Sequence, residues 1–169
     1  MKACSQAPCE SVEIGILRIA MSAPNEFSWS DEYLLGYGPM DDPHREFVVI
    51  VNTLLECADA EVSGHLEAFA RHAEAHFKAE DGWMERTAFP PRECHVEEHA
   101  AVLKSVYQVL DVVRQGDFAE GRRLAAALAD WFPGHAFHLD SALSQWMVKQ
   151  RHGGKPVVVR RNVLGRGKG

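Results

Sequence analysis

The chain has no uninterrupted apolar run of the roughly 18 residues that a membrane-crossing helix needs. Cysteine is scarce. Cys4, Cys9, Cys57 and Cys94 form no C-x-x-C pair, and a stapled miniprotein is excluded. There is no internal repeat and no pair of strand-like segments; Val157-Val158-Val159 is too short to count. No Glu-x-x-His occurs anywhere, which disfavours the ferritin-like di-iron signature. Acid is missing from Lys149 to Gly169, where seven basic residues stand.

What is present fits a folded domain. The 169 residues are 46% hydrophobic and 25% charged, enough apolar material for one core without disulfides. The formal charge is −6, but without the basic end the body holds 11 Lys and Arg against 24 Asp and Glu. Such a body repels nucleic acid, so no nucleic-acid partner is expected. The glycine-rich basic end is expected to be a flexible, solvated tail, with docking to an acidic partner or surface as its alternative role. The N-terminus carries one lysine and no continuous apolar stretch, so the expected location is cytoplasmic, with reduced thiols. Cys94 and His95 are adjacent and diverge around a helix, so Cys94 is expected to be a buried thiol.

Three regions follow: an appendage over 1–26, a body over 27–150 and the basic tail over 151–169. Met21 is an alternative start. From Phe27 to Met40 the aromatics Phe27, Trp29, Tyr33 and Tyr37 and the glycines Gly36 and Gly38 dominate, reading as an ordered arm without regular structure, packed on the body by its rings. Helical periodicity then predicts a helix from about Asp42 to Ala60, capped by Asp41 or Asp42 with Pro43 in its first turn. Further helices are predicted over about Glu61–Arg86, Arg92–Arg114 and Asp117–Gln150, the last kinked or restarted at Pro133. Short connections between long helices predict an all-α, antiparallel up-down four-helix bundle.

Nine histidines is the abnormal count. A bundle interior rejects charge unless it is paired or bound to a metal. His76 and Glu80 are four apart, as are His95 and His99, so each pair shares a helix face. His135 and Asp140 are five apart and converge only where the helix is loosened. His44 stands near the start of the first helix. Five imidazoles and two carboxylates exceed what one structural zinc takes and suit two first-row ions. Two carboxylates can bridge such a pair, leaving three imidazoles for one ion and two for the other. Nitrogen and oxygen donors without thiolate suit iron, and tolerate manganese.

These elements resemble the bacterial hemerythrins. The arm Phe-Ser-Trp-Ser-Asp-Glu-Tyr-Leu-Leu-Gly-Tyr-Gly followed by Met40-Asp41-Asp42-Pro43-His44 is similar to that family's arm and first-helix histidine. His76-Phe77-Lys78-Ala79-Glu80 resembles its H-F-x-x-E, His95 to His99 its H-x-x-x-H, and Trp131 with His135 to Asp140 its W-x-x-x-H-x-x-x-x-D. The resemblance spans roughly Phe27 to Met147 and fills all seven ligand positions. It implies an oxo- or hydroxo-bridged di-iron centre, with His95, His99 and His135 on one iron, His44 and His76 on the other, and Glu80 and Asp140 as bridges. It also implies dioxygen as the partner, bound reversibly for storage, delivery or sensing. The alternative is a di-iron enzyme handling peroxide or nitric oxide.

Other histidines need placing. His72 is four before His76, but only His76 is followed by a carboxylate at the fourth position. His72 is therefore expected one turn away and partly exposed. Trp131, Phe137 and His138 are the candidates for an oxygen pocket, with Leu139, Phe77 and Trp83 beside them. His138, three after His135, is expected near the same face, either there or at the surface. His65 and His152 are expected to be solvated. His95 to His99 also fits the zinc-protease pattern H-x-x-E-H with Glu98 as base, but that reading leaves His44, Glu80, His135 and Asp140 idle.

Overall fold

The computed structural model describes residues 27–151. The appendage with Cys4, Cys9 and Met21, and the basic tail with His152, lie outside the described residues. α1 covers Gly38–Glu56, α2 Asp59–Thr87, α3 Arg92–Arg114 and α4 Phe118–His135. One π turn, Ala136–Asp140, joins α4 to α5, Ser141–Arg151. Connections of two, four and three residues separate the first four helices, so neighbours must run antiparallel. α1 and α3 each pack on both α2 and α4, which closes the up-down four-helix bundle. Among the described residues no helix is long and apolar enough to cross a membrane.

The helix ends follow local chemistry. α2 stops at Ala88, which adopts a left-handed φ of 50°, and Phe89 N–H reaches back to the Met84 carbonyl at 3.0 Å. Pro90 and Pro91 then prevent continuation. The Asp117 side chain caps α4 by accepting from Glu120 N–H at 3.2 Å. α1 begins a turn earlier than its sequence suggests. Gly38 and Pro39 form the first turn, where the missing proline N–H costs nothing. Pro43 therefore lies inside the helix, and Asp41 is not its cap. Asp41 is buried and accepts from Leu35 N–H at 2.8 Å, tying the arm to α1.

The arm is ordered, with its rings packed on the body as expected, but it is not without regular structure: Asp31–Tyr33 form a 3-10 turn capped by Ser30, and Gly38 to Met40 already belong to α1. Phe27 meets Phe47 and Phe132 edge-on, and its carbonyl accepts from the Asn52 side-chain amide. Tyr33 packs on Phe132 with centroids 5.4 Å apart, and Arg45 lies 4.8 Å over the Trp29 ring. Tyr37 packs on Trp83 at the other end of the arm.

Two apolar layers divide the core. The larger holds Phe47, Val51, Leu66, Phe69, Val106 and Leu128, among others. The smaller holds Tyr37, Met40, Met84, Phe89 and Leu143. Along each of the four rods the histidines and carboxylates singled out above fall between these layers. Buried cysteine plays little part; Cys57 and Cys94 are both half-buried free thiols, so Cys94 is less enclosed than expected.

At Gly121, α4 comes close to α2 and α3. A Cβ there would stand 2.6 Å from Val62 Cγ1 and 3.1 Å from Val113 Cγ2. Gly121→Ala is expected to destabilise the protein by about 1–3 kcal/mol through overpacking. Gly64→Ala on α2, with nothing within 4 Å of its Cβ, is expected to stabilise by about 0.5–1 kcal/mol. Urea denaturation of both variants checks the contrast; equal effects would contradict it.

Candidate metal centre

Each rod delivers its side chains by helical geometry. On α2, His76 and Glu80 lie one turn apart; on α3, His95 and His99 do the same. On the fourth rod the five-residue spacing is absorbed by the π turn. Ser141 N–H bonds to the Ala136 carbonyl five residues back, so the helix returns to the same face after five residues and Asp140 comes beneath His135. All seven side chains are buried.

Glu80 and Asp140 stand at the middle and look both ways. Asp140 Oδ1 lies 3.1 Å from His95 Nε2 and 3.3 Å from His135 Nε2, while Oδ2 lies 3.2 Å from His44 Nε2. Glu80 Oε2 lies 3.3 Å from His99 Nε2 and 3.5 Å from His95 Nε2, while Oε1 lies 3.5 Å from His76 Nε2. Ligand atoms of Glu80, His95, His99, His135 and Asp140 fall within 4.8 Å of one another, and so do those of His44, His76 and Glu80. The result is a three-histidine half and a two-histidine half, with a carboxylate oxygen of each acid offered to each half.

These atoms are close but not hydrogen-bonded. Nε2 of His44, His95, His99 and His135 and all four carboxylate oxygens of Glu80 and Asp140 are buried without a hydrogen-bond partner. Buried polar groups left unpaired cost about 1–3 kcal/mol each, and charged ones more. Lone pairs aimed at shared points from several sides are what bound cations require, and the nitrogen and oxygen donor set fits first-row metal ions.

On their outer sides two imidazoles of the three-histidine half are tied down. His99 Nδ1–H donates to Asp81 Oδ1 at 3.0 Å, and His135 Nδ1–H to Glu98 Oε1 at 3.0 Å. Glu98 Oε1 also accepts from Trp131 Nε1–H at 2.8 Å. Phe77 stacks on the His99 ring with centroids 4.0 Å apart, and Trp131 leans on His135 at 4.3 Å. Around the two-histidine half, Phe132 meets His44 edge-on at 5.2 Å.

Without a metal the charges balance among themselves. Burial opposes ionisation of Asp140, but His135, His44 and His95 outweigh it and hold the carboxyl well below its usual range. Burial and the Asp140 charge push Glu80 up, while His76, His95 and His99 prevail and bring it down to about 2. Burial also resists charge on His135, yet Asp140, Glu98 and Glu80 push its pKa up to about 10. His95 is raised in the same way, by Asp140 and Glu80 against burial. His76 differs: burial dominates and pushes it down to about 4, so it is neutral near pH 7.

Three expectations need correction. Phe137 is 47% exposed and touches only the Tyr33 ring among the aromatics, and His138 is exposed. Neither lines a buried pocket; the wide π turn puts His138, the third residue after His135, at the surface, which was its alternative position. His65, expected to be solvated, is half-buried. Trp131 is half-buried against His135. His72 is also half-buried, with Nδ1 3.5 Å from Glu46 of α1, and its ring stacks on His76 at 6.2 Å. Asp81 and Glu98 were not recognisable as partners of His99 and His135. Each adjoins a singled-out residue and so points about 100° away from it; only the packing of α2, α3 and α4 brings it to a neighbour's histidine.

Residues 35–146 match the family model described as the hemerythrin HHE cation binding domain. The chain is 35% identical over 122 residues to a bacteriohemerythrin of Ralstonia nicotianae (strain ATCC BAA-1114 / GMI1000), covering 72% of this chain and 89% of that protein. It is 29% identical over 83 residues to a hemerythrin subunit of Sipunculus nudus, covering 49% of this chain and 67% of that one. No solved structure matches the chain at a significant level.

The charge balance sets a pH dependence for the metal-free protein. The raised His135 contributes stability that is fully present below its unfolded value of 6.5 and is lost as pH rises through about 10, and His95 acts in the same direction. The urea midpoint of metal-free protein is therefore expected to fall between pH 7 and pH 10. A midpoint that holds level or rises over that range contradicts the assignment.

Proposed function

We propose, from the premise that this chain belongs to the hemerythrin family, that it is a non-haem di-iron protein that binds dioxygen reversibly. The observation that carries this reading is the double offer of Glu80 and Asp140, each with one oxygen toward two imidazoles of the three-histidine half and the other toward one imidazole of the two-histidine half. His95, His99 and His135 would hold one iron, His44 and His76 the other, with both carboxylates bridging. A ferrous pair bound there supplies the two-electron chemistry that reversible dioxygen uptake requires. The half with two histidines offers fewer protein donors, so it is where a small molecule would be received.

The surrounding residues favour binding over turnover. Phe132, Phe47 and Met40 keep the neighbourhood of His44 apolar and exclude water. Outside the seven, the buried polar side chains among the described residues are Asp41 and Ser144. Asp41 is committed to Leu35 N–H, and the Ser144 hydroxyl donates to the Ser141 carbonyl. Neither of these is free to deliver a proton to a bound molecule, which is what a peroxide- or nitric-oxide-handling enzyme would need. The exposed position of His138 removes the one candidate that the sequence offered for that role. The free thiols of Cys57 and Cys94 suit a reducing compartment such as the cytoplasm.

Anaerobic loading with ferrous iron followed by cycles of air and vacuum tests the reading. Two irons per chain and a visible charge-transfer band that appears with oxygen and disappears on its removal are expected. Irreversible oxidation in the first cycle, accompanied by consumption of peroxide or nitric oxide, would overturn it in favour of an enzyme.

A further inference from the structure

The two halves of the centre are supported unequally. In the three-histidine half, His99 and His135 each donate Nδ1–H to an outer carboxylate, Asp81 and Glu98, at 3.0 Å. Both contacts fix the ring orientation and the tautomer, leaving the Nε2 lone pair facing inward. Trp131 Nε1–H holds Glu98 in turn, and Phe77 stacks flat against His99. In the two-histidine half neither ring has such support. Nδ1 of His44 and Nδ1 of His76 are buried and have no partner. Glu46, two residues after His44 on α1, pairs with His72 rather than with either ligand candidate.

We infer that Asp81 and Glu98 are positioning residues that make the three-histidine half the tighter of two metal sites, so that a divalent ion fills it first. The inference rests on the two-metal reading above and adds an order of filling to it. Three imidazoles, two of them locked, meet the first ion with little left to organise. Its charge then neutralises the Glu80 and Asp140 oxygens on its own side. The second ion must draw His44 and His76 into place without an outer carboxylate on either, and it faces the first ion across the shared acids. Like charge and missing support both weaken the second step. The half that fills last is also the half proposed to receive dioxygen, so partly loaded protein would hold metal and bind no gas.

Titration of metal-free protein with cobalt(II), followed by calorimetry and by ligand-field absorption, tests the order. Two equivalents in two resolved steps are expected. Asp81→Ala and Glu98→Ala should each weaken the first step by about 10–100-fold and leave the second nearly unchanged. Asp81→Asn and Glu98→Gln, which keep an acceptor oxygen, should lose less. His44→Ala combined with His76→Ala should retain one equivalent at the first-step affinity. Where that double variant fails to fold, the absorption change confined to the first step of Asp81→Ala serves instead. A general loosening of the bundle would weaken both steps together, so equal weakening overturns the inference, as do two unresolved steps in the parent protein. Binding of one equivalent only would overturn the two-metal reading itself.

Discussion

Two carboxylates and five imidazoles packed between apolar layers cannot satisfy one another. Their contacts of 3.1–3.5 Å are near enough for attraction but are not aligned as hydrogen bonds. Unpaired charge in a core is among the most expensive features a fold can carry. The metal-free protein limits the expense by holding a proton on His135 against Asp140 and Glu80, and the same acids push His95 up. Divalent cations would replace that proton and give each inward lone pair a partner. Other features of the bundle follow from keeping this arrangement dry and in register.

The apolar layers are the first of these features. Phe47, Phe69 and Phe132 on one side and Met40, Met84 and Leu143 on the other enclose the charged layer. They confine the seven side chains to a narrow band of the bundle. The π turn is the second. A regular helix would carry Asp140 about 140° around from His135, away from the cluster. Widening one turn returns it to the face, and Asp140 then reaches His44 on α1 as well as His95 and His135. The arm is the third, closing the α1 and α4 side through Phe27 and Tyr33.

Features with a local period were legible in the sequence. The boundaries of α3 follow from Pro90-Pro91 before it and Gly116 after it, and the four-apart pairs on α2 and α3 follow from the helical repeat. The five-residue spacing of His135 and Asp140 signals a loosened turn by itself, because no regular helix could use both. The start of α1 was misplaced because two prolines, Pro39 and Pro43, competed for its first turn, and the arm's contact with Asp41 decided between them. His138 took the surface position rather than the pocket because three residues bring a side chain back to the same face in an α-helix but not in a π turn; Phe137, on the same turn, is exposed as well. The pairing of Asp81 with His99 and of Glu98 with His135 could not be found, since the partners lie on different helices.

The central claim is that these seven side chains enclose two ions. A crystal structure of iron-loaded protein, with anomalous scattering collected at the iron edge, measures this directly. Two peaks are predicted, one among His95, His99 and His135 and one beside His44 and His76, with Glu80 and Asp140 touching both. A single peak, or iron bound anywhere that leaves Glu80 and Asp140 uncoordinated, would contradict the account.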